Sequence, residues 1–109
     1  MVRPGDVVTV DFPGATGTKR RPAVVVSTDT YHRTRPDVIL GLLTSQVAPA
    51  TGPTDCVLQD WQAAGLRSPS AFRAFLATLS ATNLTTIGHL SERDWRKVQD
   101  RLRVALAVT

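Results

Sequence analysis

TKRRPAVVVST, residues 18 to 28, sets Lys19, Arg20 and Arg21 directly before a proline and a run of small and β-branched residues. Pro22 has no N–H and confines Arg21 to extended backbone, and the valines that follow are stiff at χ1, so the stretch RPAVVVST reads as a strand. Upstream, Val7 to Phe12 alternates: Val8, Val10 and Phe12 fall on one face, and Val7, Thr9 and Asp11 on the other, the pattern of a half-buried strand. Pro4-Gly5 marks a turn before it, and PGATGT, residues 13 to 18, is a loop-forming stretch between the two strands. Downstream, residues 37 to 46 (DVILGLLTSQ) form a third apolar run, bounded by Pro36 and the APATGPT loop, and residues 55 to 60 (DCVLQD) a fourth. AFRAFLATLS, residues 71 to 80, fits either period and is read as a fifth strand because it sits among short strands at regular spacing.

Helix periodicity is clear only at the C-terminus. Ser91 opens SERD, a capping-box-like pattern with Asp94 at N3, and Leu90 and Trp95 are spaced as a hydrophobic staple. Trp95, Val98, Leu102, Ala105 and Leu106 then share one face, predicted to pack on the sheet. Five short strands and one terminal helix in 109 residues predict a mainly β, single-domain chain over residues 1–109, a small curled sheet or barrel.

Lys+Arg 13 against Asp+Glu 9 gives a net charge of +4, a balance that favours polyanionic partners. Cys56 is the only cysteine, so an intrachain disulfide framework is excluded and a reducing, cytoplasmic setting fits. MVRPGDVV carries charge and a turn where a signal peptide needs an apolar core, and no apolar run reaches membrane-spanning length.

Several chemistries lack their residues. The histidines are His32 and His89, no G-x-S-x-G occurs, and Cys56 lies inside a predicted strand, which leaves acyl transfer without a nucleophile and base. No HExxH or ligand cluster suggests a metal, and GATGTK lacks the Walker spacing, so no cofactor is expected. What remains is the basic strand opening. Arg21 is pre-organised by Pro22, always charged, and offers phosphate oxygens a planar donor fork, while Lys19 and Arg20 would steer a polyanion. On charge alone, a solvated strand end is the favoured reading of the three side chains. Thr44 and Ser45 end the third apolar run, and a role for them requires Thr44 to stand beside Arg21.

The order GDVVTVDFPG, KRRPAVVVS, DVILGLLTSQ and PSAFRAFLATLS ahead of an amphipathic helix resembles the PemK/MazF family of toxins from type II toxin-antitoxin systems, over nearly the whole chain. The resemblance implies an SH3-like barrel of five to seven strands with a C-terminal helix, a homodimer, and metal-independent, sequence-specific endoribonuclease activity on single-stranded RNA. In that chemistry the ribose 2′-hydroxyl attacks the adjacent phosphate, leaving a 2′,3′-cyclic phosphate and a 5′-hydroxyl, with no protein nucleophile. It implies a cognate antitoxin as partner and operator DNA contact only through the toxin–antitoxin complex. By motif, the phosphate-contacting arginine falls on Arg21 of RRP and the catalytic threonine on Thr44 of LTSQ, with Lys19, Arg20, Ser45, Gln46, His32 and Arg73 as candidate substrate-binding residues.

Two departures from the family pattern stand out. The glycine loop before RP carries no Glu-Gln pair, and Ser80 follows Thr78-Leu79 where relatives often have an acidic residue. A serine cannot act as a carboxylate base, which raises a second reading: a weakened member that binds antitoxin, RNA or DNA without cleavage. His32 is then the titratable candidate for proton transfer, or else a solvated loop residue. Arg73 either contacts RNA or pairs with an acid such as Asp60; Trp61 stacks a base or, as favoured here, covers the core or an interface; His89 is read as structural.

Overall fold

A computed structural model describes residues 1–14 and 17–108. The elements are β1 (Asp6–Gly14), β2 (Gly17–Val25), α1 (Asp29–Thr34), β3 (Asp37–Thr44), β4 (Asp55–Val57), β5 (Ala71–Ser80), a 3₁₀ turn (Ala81–Asn83), β6 (Thr85–His89) and α2 (Glu92–Ala105). The strands form one antiparallel sheet in the order β4-β5-β3-β2-β1-β6.

The chain is mainly β with a C-terminal helix, but the expected closed barrel is corrected: β4 and β6 are the two edges and do not pair. The cause is local. β4 has only three residues, and the chain beyond it coils into a turn that spends its N–H groups on itself, Ala64 N donating to Asp60 O, Gly65 N to Gln62 O and Leu66 N to Trp61 O. With those donors used, the turn meets β6 by backbone packing instead of a ladder. Gly65, at φ +86°, lies against the Ile87 carbonyl, and a Cβ on Gly88 would run into the carbonyl of Ala64. Only glycines permit this approach.

β1 and β2 are longer than read: they stay paired through Pro13↔Thr18 and Gly14↔Gly17, so the predicted 13–18 loop is corrected to strand at both ends, while Ala15 and Thr16 lie outside the described residues. The fourth strand is shorter than residues 55–60, and α1 and β6 were not anticipated. β1 is covered on both faces at its start, not on one. Val8, Val10 and Phe12 join Ala23, Val25, Val38 and Leu40 in one apolar cluster. Val7 belongs to a second, with Val24, Leu43, Phe72, Leu90 and the α2 residue Val98. Burying both faces accounts for the nearly continuous valine run of β2.

α2 starts as read: Ser91 is the N-cap and accepts from Asp94 N at 3.3 Å, and Leu90 is buried. Its apolar stripe ends early. Trp95, Val98 and Leu102 pack on the core, whereas Ala105 and Leu106 are exposed because the helix runs past the sheet. Arg93 clasps both carboxylate oxygens of Asp60 at 2.7 Å, and Ser91 Oγ donates to the same carboxylate at 2.5 Å. These bonds, the Arg93 fork first, hold the Asp60 carboxyl down to about 2. A depressed carboxylate stabilises the fold above its unfolded value near 3.9, and that contribution disappears as pH falls through the folded value. The melting temperatures of wild type and Arg93→Ala should therefore differ at neutral pH and converge between about pH 4 and pH 2; a gap that persists at acid pH would show that Arg93 acts through packing alone.

Candidate active site

The β2–β3 register pairs Ala23 with Leu42, Val24 with Gly41 and Val25 with Leu40. Pro22 lacks the N–H that would extend the ladder, yet the same register carried onward sets Pro22 opposite Leu43 and Arg21 opposite Thr44. On the other side Thr9 pairs with Pro22. Thr9, Pro22 and Leu43 thus run side by side across three strands and line the floor of a cleft of about 590 Å³.

One wall is Thr44, Ser45 and Gln46, where β3 ends. The other is the segment from Gly65 to Ser70 beyond the β4 turn, and Ile87 of β6 completes it. Ile87 is placed by a bulge: β1 pairs Val7 with Gly88 and Val8 with Thr86, which leaves Ile87 without an opposite residue and free to border the cleft.

Arg21 is half-buried in this cleft, and its side chain makes no hydrogen bond or ion pair among the described residues. Thr44 Oγ1 accepts from Gln46 N at 3.1 Å. That bond occupies an oxygen lone pair and leaves the hydroxyl hydrogen for a cleft occupant. Among the described residues, the lining contains no aspartate, glutamate, histidine or cysteine. An unpaired guanidinium, a directed hydroxyl and no competing carboxylate make a site for an anion, with phosphate oxygens the natural match.

The other sequence candidates fall into two groups. Ser45 and Gln46 line the cleft with Thr44. Lys19, Arg20, His32 and Arg73 do not. Lys19 is exposed on β2 opposite Phe12. Arg20 was expected to steer a polyanion; instead it is spent on β6, donating to Thr85 Oγ1 at 3.0 Å and to Asn83 O at 3.3 Å, with Asp11 3.8 Å away. Arg73 pairs with Asp55, its register partner on β4, at 3.4 Å; the acid is not Asp60, which Arg93 holds.

His32 is the clearest correction. Neither a solvated loop residue nor a group at the cleft, it is buried on α1 with Nε2 2.6 Å from Ser27 Oγ, bordering a separate cavity with Met1 and Val2. α1 exists because Thr28 caps it, accepting from Tyr31 N, and this turn draws the ring inward. His89 is structural, its Nδ1 2.8 Å from Asp6 Oδ1, and Trp61 packs on the core. Cys56 is buried, which pushes its thiol pKa up and away from nucleophilic use. Ser80 caps the 3₁₀ turn, accepting from Thr82 N, and lies outside the cleft.

Sequence reasoning missed the wall from Gly65 to Ser70, and with it Arg67. The signal available was GLRSPS, a glycine and a proline flanking a cation, the same punctuation as in GTKRRP. Among the described residues no group of three or more His, Cys, Asp or Glu is gathered as a metal site would need, and no helix is long and apolar enough to cross a membrane.

The model of the PemK-like, MazF-like toxins of type II toxin-antitoxin systems matches residues 3–106. The chain belongs to the PemK/MazF toxin family. Its members are endoribonuclease toxins, and solved structures agree on the fold. An endoribonuclease in complex with its cognate antitoxin from a mycobacterial species superposes with a TM-score of 0.79 at 21% identity, covering 100% of this chain and 98% of that one. MazE-MazF from Deinococcus radiodurans gives 0.73 at 20% identity, covering 99% and 97%. The Mycobacterium tuberculosis toxin MazF-mt6 gives 0.75 at 16%, covering 95% and 98%. No curated protein sequence matches the chain. Against the PemK/MazF pattern, the RRP and LTSQ motifs of this chain are the two that meet across the cleft.

Proposed function

We propose that this PemK/MazF toxin is a metal-independent endoribonuclease that cleaves single-stranded RNA at specific sequences by 2′-hydroxyl attack. The observation that carries the reading is the meeting of unpaired Arg21 with Thr44 in a cleft free of carboxylates among the described residues. A phosphodiester in that cleft gains charge as the 2′-hydroxyl gives its proton to solvent hydroxide and bonds to phosphorus, and the 5′-oxygen departs, taking a proton from water. Arg21 offsets the charge on the equatorial oxygens, and Thr44 donates its hydroxyl hydrogen to one of them. Both interactions strengthen toward the transition state, which is the condition for raising kcat. The substrate supplies its own nucleophile, so the cleft requires none.

Ser80 gives little support to the non-cleaving alternative. It sits outside the cleft, so the missing acid there removes nothing from the groups that line it. The toxin is read as cytoplasmic and homodimeric, with a cognate antitoxin as its protein partner.

The test is incubation of the purified protein with long RNA in excess EDTA, followed by end analysis. New 5′-hydroxyl and 2′,3′-cyclic phosphate ends are expected; tight RNA binding without new ends would support the binding module instead. The pH profile gives an independent check. With no carboxylate or imidazole lining the cleft among the described residues, log kcat should rise steadily with hydroxide across about pH 5 to 8, without the inflection that a histidine base imposes. A plateau above an inflection near 6.5 would place a protein base in the reaction.

A further inference from the structure

We infer that Arg67 is a second phosphate-binding residue of the cleft, holding a phosphate beside the one at Arg21 and so fixing how an RNA strand lies across Thr44. The inference rests on the ribonuclease reading of the cleft.

Charge accounting singles out the residue. Most cations of this chain are engaged: Arg20 on Asn83 and Thr85, Arg33 on Thr30, Arg35 on Asp37, Arg73 on Asp55, Arg93 on Asp60, Arg96 on Glu92, Arg101 on the Asp55 carbonyl, Arg103 on Asp100. Arg21 and Arg67 have no hydrogen bond or ion pair from their side chains among the described residues, and both line the same cleft. Two uncompensated guanidinium groups facing one cavity repel each other in the empty protein, and a polyanion that spans them relieves this.

The loop that carries Arg67 is anchored on both sides. Leu66 before it and Ser70 after it are buried; Ser70 O accepts from Leu58 N at 2.9 Å, and Ser70 Oγ donates to Ser68 O at 2.9 Å. Gly65 is pressed on the β6 backbone, and Pro69 restricts Ser68 to extended backbone. The Cα of Arg67 is therefore fixed while its exposed side chain reaches into the cleft, which limits the ordering needed to bind. Two fixed cations impose a strand direction across the cleft that one cannot, because a single contact lets the strand pivot about it.

A mixed-sequence 2′-deoxy single strand lacks the attacking hydroxyl and reports binding alone. Arg67→Ala should weaken it about tenfold at low salt and flatten the slope of log Kd against log salt by about 0.7, the share of one phosphate on a single strand. Arg67→Lys should retain the slope. On RNA, Arg67→Ala should raise KM with kcat nearly unchanged, since a neighbouring phosphate is bound equally in ground and transition states. Thermal melts of each variant confirm an intact fold.

An unchanged slope in Arg67→Ala alongside a flattened one in Arg21→Ala overturns the inference and leaves the cleft as an RNA site. A loss confined to kcat also overturns it, because Arg67 would then act on the scissile phosphate. If the wild type never cleaves RNA yet the slope falls in Arg67→Ala, the ribonuclease reading fails while Arg67 stands as a phosphate ligand. If neither variant alters binding, both fail.

Discussion

Replacing Arg21 by alanine is expected to lower the rate of RNA cleavage about 10²- to 10³-fold, equivalent to about 2.7–4 kcal/mol of transition-state stabilisation, the range found when one fixed donor to a developing oxyanion is removed. The loss should fall on kcat, measured at single turnover with RNA saturating, because the guanidinium meets charge that appears only as the 2′-oxygen attacks. Stability should hardly change. Among the described residues Arg21 has no partner to leave stranded, and Pro22 keeps its own constraint on the strand without it. Arg21→Lys should recover only part of the rate, since an ammonium supplies charge but not the paired planar donors. Thr44→Val tests the second group: it keeps the shape, removes the donated hydrogen, and strands Gln46 N without its acceptor. If Arg21→Ala cuts as fast as wild type in EDTA, the cleft is not where the phosphate sits.

That this pair is legible in the sequence has a physical reason. RRP and LTSQ each combine a backbone constraint with a chemical group: a proline fixes the arginine, and the end of an apolar strand fixes the threonine. Strand pairing, which local pattern does not reveal, brings them together across β2 and β3. Where the signal is local, the reading holds, as in the Ser91 cap of α2, and β5 is read from the spacing of its neighbours. It fails where the partner is remote. His32 lies in the polar stretch TYHRTRPD and reads as loop, but Thr28 caps a short helix there and Ser27 accommodates the ring beneath it. Arg20 reads as a twin of Arg21, yet its side chain binds the 3₁₀ turn and β6, more than sixty residues away along the chain. The open barrel has a local cause, in the turn after β4. The turn after β4 spends the N–H groups of Ala64, Gly65 and Leu66 on itself, and its contact with Gly88, at the far edge of the sheet, shows how the gap is covered.

Asp94 joins the helix to the cleft, and Asp94→Ala is expected to destabilise the protein by about 3 kcal/mol, with a fall in Tm of roughly 10–20 °C. At N3 of α2 the residue reads as half of a capping box that would turn back toward the N-cap N–H. Instead it is fully buried, Oδ1 accepting from Gln59 N at 2.9 Å and Oδ2 from Asp60 N at 2.8 Å. Truncation leaves two backbone donors without acceptors and also removes an anion from the positive end of the helix. Those donors open the turn that leads through Gly65 to Arg67, so the carboxylate ties α2 to the wall of the cleft. Asp94→Asn is no rescue, because an amide offers one oxygen and sets an N–H against the second donor. Ser91→Ala provides the comparison. It removes the helix cap, worth about 1 kcal/mol, and the bond to Asp60, but leaves the Asp94 clamp in place. Chemical denaturation should rank Asp94→Ala well below Ser91→Ala in stability; equal losses would mean that the buried carboxylate does no more than help the helix begin.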